Sequence, residues 1–204
     1  MFRKFFLLIT SFCLIIVASF AFAENENLIT IKLYGGYNAW VLGGAIFSSS
    51  SNASISAGGF SFGGDFLFGD INAIQFGIEA SYLPMLSATE GSLHASITMI
   101  PLTANVVFNN GIFYTDLGLG LAFMGAAIDT GFSSLKNFAP SPAFIAKIGI
   151  GLNIKLNELI GIDGGLVSYL PFTDFGLTEG KSNFFLNMIG FWQLGLKLGI
   201  SLYL

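Results

Sequence analysis

Charge is scarce in this chain of 204 residues, because Asp, Glu, Lys and Arg together make up only 10% of it. About a quarter of the residues of an average soluble domain are charged. A chain with so few charges cannot cover a surface that faces water on all sides, so we expect part of its exterior to face lipid. The sequence also has one cysteine, Cys13, and one histidine, His94, which argues against a structural zinc site.

The N-terminus predicts a secretory signal peptide. Arg3 and Lys4 precede a long apolar run that ends in the small residues of Ala21-Phe22-Ala23, and polar residues follow at once. We therefore expect a signal peptide over 1–23 and a mature domain over 24–204, with an uncleaved membrane anchor as the alternative. After residue 23 the chain has six lysines, no arginine and twelve acidic residues, which leaves a net charge of −6. The lack of a basic cluster argues against nucleic acid as a partner.

Apolar residues alternate with small or polar residues throughout the mature chain, which is the pattern of β-strands. The alternation predicts eight strands, over 28–40, 58–69, 72–84, 92–108, 112–125, 143–156, 160–170 and 184–204. In the fourth strand the apolar residues change from odd to even positions, and we expect a β-bulge near Pro101 to reconcile the two halves. Short turns, among them Asn109-Asn110-Gly111, mostly alternate with longer segments.

Two kinds of barrel fit eight alternating strands. A soluble barrel turns its apolar face inward, but the other face, mostly Gly, Ser and Asn, is too poor in charge for a surface in water. A transmembrane barrel turns its apolar face to lipid, and it combines an even number of strands with short turns at one end and longer loops at the other. A transmembrane helix at 183–204 fails, because Lys197 would lie near its middle. The sequence therefore predicts an all-β, eight-stranded, antiparallel, up-and-down transmembrane β-barrel.

The inward face of such a barrel carries charges that must be neutralised, because an isolated buried charge is costly. Four positive and four negative residues lie on that face by parity, so their charges sum to zero. This balance predicts an interior that is plugged by paired charges rather than an open conduit. The eight residues are Lys32, Asp65, Glu79, Asp116, Lys147, Lys155, Asp163 and Lys197.

Two stretches resemble the small eight-stranded outer-membrane barrels of Gram-negative bacteria, the outer membrane protein β-barrel domain typified by outer membrane protein X and the barrel half of outer membrane protein A. They are IPLTANVVFNNGIFYTDLGLGLAF (100–123) and the C-terminal LKLGISLYL. The resemblance implies a place in the outer membrane, with its lipid and the barrel assembly machinery as partners. Such chains usually end in Phe, whereas this one ends in Leu204.

Two other functions have candidate residues. His94-Ala95-Ser96 resembles the His-x-Ser pair of lipid A deacylases, in which a serine nucleophile works with a histidine base and a carboxylate. However, the Asn that follows in that family is Ile97 here, and the nearest acid, Glu90, lies in a turn. We therefore interpret His94 and Ser96 as a polar pair that faces inward near the outer rim.

A channel for a small hydrophobic ligand is the other alternative, and it would use loop aromatics such as Phe47, Phe132 and Phe138. Packing within the loops, or placement at the membrane interface, is the better explanation of those aromatics, and the inward faces are too charged for an apolar tunnel. The sequence thus favours a non-enzymatic barrel with no catalytic residue, no metal and no cofactor. Its role would be structural, or would lie in contact with an extracellular ligand or surface partner through loops such as 41–57 and 125–142.

Overall fold

The alternating segments form β-strands in the computed structural model, which describes residues 29–41, 54–129, 134–138, 141–173 and 190–204. The predicted signal peptide over 1–23 lies outside these residues. Ten strands are found in the described part of the chain: β1 (Ile29–Trp40), β2 (Ser54–Ser56), β3 (Gly58–Gly69), β4 (Ile74–Glu90), β5 (Leu93–Asn110), β6 (Phe113–Asp129), β7 (Ser134–Phe138), β8 (Ala143–Lys155), β9 (Ile160–Pro171) and β10 (Gln193–Tyr203).

The eight long strands close into a barrel. Each pairs antiparallel with the long strand before it in the chain, and β10 pairs with β1 from Thr30↔Tyr203 to Trp40↔Gln193, which completes the ring. The short strands β2 and β7 lie outside the ring and pair with β4 and β6. The predicted up-and-down barrel of eight antiparallel strands is confirmed. No helix among the described residues is both long and apolar enough to span a bilayer.

The two ends of the barrel differ. Short turns at 70–73, 111–112 and 156–159 lie at one end, here called the turn end, where the described chain also begins and finishes. The turn at 111–112 explains why glycine follows Asn110. Gly111 has a φ of 64°, a left-handed conformation that residues with a Cβ rarely adopt. The ends of β1, β6 and β9, from which the longer segments of the sequence lead on to β3, β8 and β10, lie at the other end, the loop end.

Two strands, β4 and β6, run further toward the loop end than the sequence predicted, and they pair there with the first residues of β5, which begins within one residue of its predicted start. Residues 86–90 of β4, 93–98 of β5 and 125–129 of β6 continue as a sheet, which β2 and β7 widen; these segments are called the extension. The last strand is shorter than predicted, since β10 begins at Gln193, and 184–189 lie outside the described residues.

The bulge predicted near Pro101 is wrong. Pairing of β5 with β6 runs without interruption through Pro101↔Ala122, and the register shift lies instead in β4, between Pro84 and Leu86. Odd-numbered residues of β5 face the interior on both sides of Pro101, because Thr103 is buried and Ile97 packs against the interior. The apolar residues change position because the strand leaves the membrane, not because its faces exchange.

The exterior is apolar. In β10, Leu196 and Leu198 are 58% and 66% exposed, whereas Lys197 between them is 8% exposed. Aromatic side chains also face outward near both ends of this apolar surface: Tyr37, Phe60, Phe62, Tyr82 and Phe123 toward the loop end, and Phe68, Phe76, Phe108 and Phe113 toward the turn end. An apolar band between two aromatic girdles is the surface of a transmembrane barrel.

The interior is layered. An apolar cluster fills the loop end of the barrel, and a smaller one of Leu67, Val107 and Tyr114 lies toward the turn end. Charged and polar side chains lie between the two clusters. The buried members of the loop-end cluster are Leu83, Met85, Met99, Ala122, Met124, Ala143, Ile145, Val167 and Tyr169.

Candidate functional site: the buried charge network

The structure places seven of the eight predicted inward charges inside the barrel, each with less than a tenth of its surface exposed. The exception is Lys155, the last residue of β8, which is exposed at the turn end. Its ammonium lies 5.2 Å from the centre of the Tyr203 ring. Since Lys155 contributes no buried charge, the interior holds three lysines and four acidic residues among the residues that the structure describes, rather than equal numbers.

Glu79 is the hub of this network. Its Oε1 accepts hydrogen bonds from Ser81 Oγ (2.6 Å), Lys197 Nζ (3.2 Å) and the Tyr169 hydroxyl. Its Oε2 accepts from Asn105 Nδ2 (3.3 Å) and from Lys147 Nζ. These donors come from β4, β5, β8, β9 and β10, so a single carboxylate ties together strands from all round the barrel.

Two further ion pairs extend the network. Lys147 Nζ also donates to Asp116 Oδ2, so one ammonium joins two carboxylates. Lys32 Nζ donates to Asp163 Oδ2 (2.6 Å), whose Oδ1 accepts from the Tyr114 hydroxyl (3.1 Å). Lys32 Nζ also lies 4.2 Å from the centre of the Tyr114 ring, within the range of a cation–π contact.

Asp65 differs from the other acids. It is opposite Lys32 on β1 and Glu79 on β4 in the register, yet within the described part of the chain it forms no ion pair, and its Oδ1 has no hydrogen-bond partner. Carboxylate oxygens of Asp65, Glu79 and Asp116 lie within 4.8 Å of one another, a spacing that could suit a metal ion. However, the Lys147 ammonium already bonds to two of these three carboxylates, which leaves no open cation site between them.

Inward glycines make room for tyrosine rings. A Cβ added to Gly151 would lie 2.5 Å from Tyr114 Cζ, and one added to Gly199 would lie 2.7 Å from Tyr34 Cβ. The Tyr34 hydroxyl is hydrogen-bonded to Ser81 Oγ at 2.8 Å, and the Lys197 ammonium lies 4.0 Å from its ring centre. Tyrosine side chains therefore fill the space beside these inward glycines, which does not form an open lumen.

Sequence reasoning did not include the tyrosines in the network. Tyr34 and Tyr114 share strand parity with Lys32 and Asp116, so the period-two pattern could have identified both as inward residues. The contacts of Glu79 with Lys197 and Tyr169 could not be predicted from strand alternation, because they join strands that are not neighbours in the sheet.

The structure does not support the prediction that His94 and Ser96 face inward. Both lie at even positions of β5, on the same face as the 48% exposed Leu102, so they face outward on the extension. His94 Nδ1 is hydrogen-bonded to Thr89 Oγ1 (3.0 Å), and Ser96 lies opposite Ser87 and Ala127. Within the described residues, the hydrogen bond of the imidazole is therefore to a threonine rather than to the proposed nucleophile.

The hydrophobic channel gains no support from the described residues. Phe47 and Phe132 lie outside them, and for Phe138 only the backbone in β7 is described. The apolar part of the interior is packed, since Met85, Met99 and Ile145 are fully buried.

Comparison with solved structures identifies the same architecture. Neisserial surface protein A is similar over 89% of this chain and 100% of its own, with a TM-score of 0.54 and 15% identity. The N-terminal β-barrel domain of Pseudomonas aeruginosa OprF (89% and 100% covered, 14% identity, TM-score 0.46) and Ail of Yersinia pestis (88% and 99%, 12%, 0.43) are more distant. No protein-family model matches the sequence, and no curated protein matches it significantly. The likeness to Neisserial surface protein A confirms the predicted fold, in which eight antiparallel strands close into a barrel.

Proposed function

We propose that this outer-membrane barrel is not an enzyme and that its interior is plugged. Its role is structural, or lies in contact with a ligand or partner at the loop end. The observation that carries the proposal is the network centred on Glu79, which lies between two apolar clusters. Assembly by the barrel assembly machinery belongs to the same proposal.

The loop-end cluster and the charge network each oppose the passage of ions through the barrel. An ion would first have to cross the loop-end cluster, where the mainly apolar side chains strongly disfavour an unpaired charge. It would then meet Lys147, whose side chain is fully buried between Glu79 and Asp116. Displacing that ammonium would leave buried carboxylates without a partner, at a cost of several kcal/mol per ion.

The alternative of a lipid A hydrolase has weaker support. A serine nucleophile needs a base within hydrogen-bond reach, and the base must be oriented by a third group. His94 is the only histidine of the chain. Its described hydrogen bond is to Thr89, and both side chains face outward on the extension.

Conductance in planar bilayers tests the plugged interior. We expect little or no current after the purified barrel is inserted, because the loop-end cluster and the buried ion pairs of Lys147 both oppose the passage of ions. Heat-modifiable gel mobility of the same preparation serves as the control, since it separates a closed barrel from a failure to insert. Large, stable and salt-dependent channels from barrels that insert would refute the proposal.

A further inference from the structure

The outward side chains of β4, β5 and β6 change character at one height. Tyr82, Ile100 and Phe123 lie side by side at the loop-end girdle and close the apolar band. On β5 the outward residues from Ile100 to Phe108 span nine residues, in agreement with the 9–11 residues of a transmembrane strand. Beyond this girdle the outward residues of β4 and β5 are mainly hydroxylated.

The hydroxylated residues form rows across the extension, because residues paired in the register face the same side of a sheet. One row joins Ser56, Ser87 and Ser96 and continues to Ala127 of β6, and the next joins Ser54, Thr89 and His94 and continues to Asp129 of β6. Thr98 lies between these rows and the girdle. The inward face of the extension is apolar except for Glu90 at its tip, so the extension is amphipathic with its polar side outward. We call the outward polar residues of β2, β4 and β5 the outer patch: Ser54, Ser56, Ser87, Thr89, His94, Ser96 and Thr98.

The height of the rows limits what they can contact. Successive outward residues lie about 6.6 Å apart along a strand, which is about 5 Å of height at a strand tilt of about 40°. The rows of Ser96 and His94 therefore lie about 10 and 15 Å above the girdle. Phospholipid headgroups occupy only about 5–8 Å of each leaflet, so these two rows lie above them.

The charges near these rows indicate whether the rows contact phosphate groups or sugar groups. Residues 86–90, 93–98 and 125–129 contain two acidic residues, Glu90 and Asp129, and no lysine or arginine, and the adjoining β7 contains one lysine, Lys136. Phosphate recognition relies on arginine or lysine, and a surplus of acid repels it. Uncharged hydroxyl and imidazole groups can both donate and accept hydrogen bonds, which suits the hydroxyl groups of sugars.

We infer that the outer patch binds the sugar headgroups of glycolipids in the surrounding outer leaflet. The inference rests on the proposed membrane orientation, with the loop end outside the cell. The inference names a partner for the proposed surface contact, namely the glycolipid that surrounds the barrel. The outer patch is suited to this partner because it continues the lipid-facing wall of the barrel beyond the girdle.

The test compares vesicles that differ only in sugar. The barrel is refolded into phosphatidylcholine vesicles that contain either lipid A alone or lipopolysaccharide with dephosphorylated core sugars, and the urea midpoint of unfolding is measured. One variant combines Ser87→Ala, Thr89→Val, His94→Ala and Ser96→Ala. Thr115→Val is the matched control, because it removes an outward, exposed hydroxyl at the turn end.

We expect the core sugars to raise the midpoint of the wild type and of Thr115→Val. The quadruple variant should lose at least half of that increase while unfolding normally in lipid A vesicles. Equal midpoints with and without core sugars, or an undiminished increase in the quadruple variant, would overturn the inference. A barrel that does not insert into either vesicle contradicts the proposed function itself, so the two failures are distinguishable.

Discussion

Replacing Glu79 by glutamine removes one negative charge from the centre of the barrel and leaves the side-chain shape almost unchanged. The carboxylate accepts hydrogen bonds from five side chains, and two of these donors are lysines. Lys147 keeps Asp116 as a partner after the change. Lys197 keeps none, because within the described residues its ion pair is with Glu79 alone.

The expected loss follows from this asymmetry. Breaking a buried ion pair by removing one partner costs about 3–5 kcal/mol, because the remaining charge is left uncompensated. The two apolar clusters limit screening by water, so we expect Glu79→Gln to fall within that range. With a urea m-value of about 1–3 kcal/mol/M, the midpoint of unfolding in lipid vesicles should fall by at least about 1 M. Heat-modifiable gel mobility checks that the variant still folds into a closed barrel.

Asp65→Asn is the matched control, since Asp65 lies opposite Glu79 on the neighbouring strand and is also buried. It has no ion-pair partner in the described structure, and its carboxylate lies within 4.8 Å of that of Glu79. Removing its charge relieves a like-charge contact, so the variant should be as stable as the wild type or more so. Equal losses in both variants would refute the assignment of Glu79 as the hub.

Four other outcomes follow from the structure. Leu198→Arg places a charge in hydrocarbon and should lower the free energy of unfolding in vesicles by about 2–4 kcal/mol; a harmless substitution would mean that the faces are reversed. Gly151→Ala overfills the space of a tyrosine ring and should cost about 1–3 kcal/mol by urea unfolding, whereas Gly190→Ala, with nothing within 4 Å of the added Cβ, should not. Ser96→Ala should leave the mass spectrum of lipid A unchanged in cells that produce the barrel; a deacylated product that disappears in this variant would support the hydrolase. Mass sequencing of the mature protein should find Glu24 as its first residue, and an intact segment 1–23 would show an uncleaved anchor.

The sequence predicted most of the fold because strand alternation is a local property. Parity along β10 separated Leu198 from Lys197 correctly, and composition decided which of the two faces lipid. The ion pairs could not be predicted, because Lys197 and Glu79 meet across the barrel and their meeting depends on strand tilt and register. The exposure of Lys155 depends on where β8 ends, which alternation places only to within a few residues.

The error near Pro101 has a more general cause. A period-two pattern shows which side of a strand is apolar, but the apolar side faces lipid only within the membrane. Along β5 the lipid-facing residues Leu102 and Phe108 are even-numbered, whereas the apolar residues that cover the barrel mouth, Ile97 and Met99, are odd-numbered. A change of parity therefore has two possible causes, an inserted residue or a change of environment. A bulge in β5 would interrupt its register with both neighbours, whereas β5 pairs with β6 without a break and the register shift between β4 and β5 comes from an extra residue on β4. Where the change lies about one membrane span from the turn end, the membrane boundary is the better explanation.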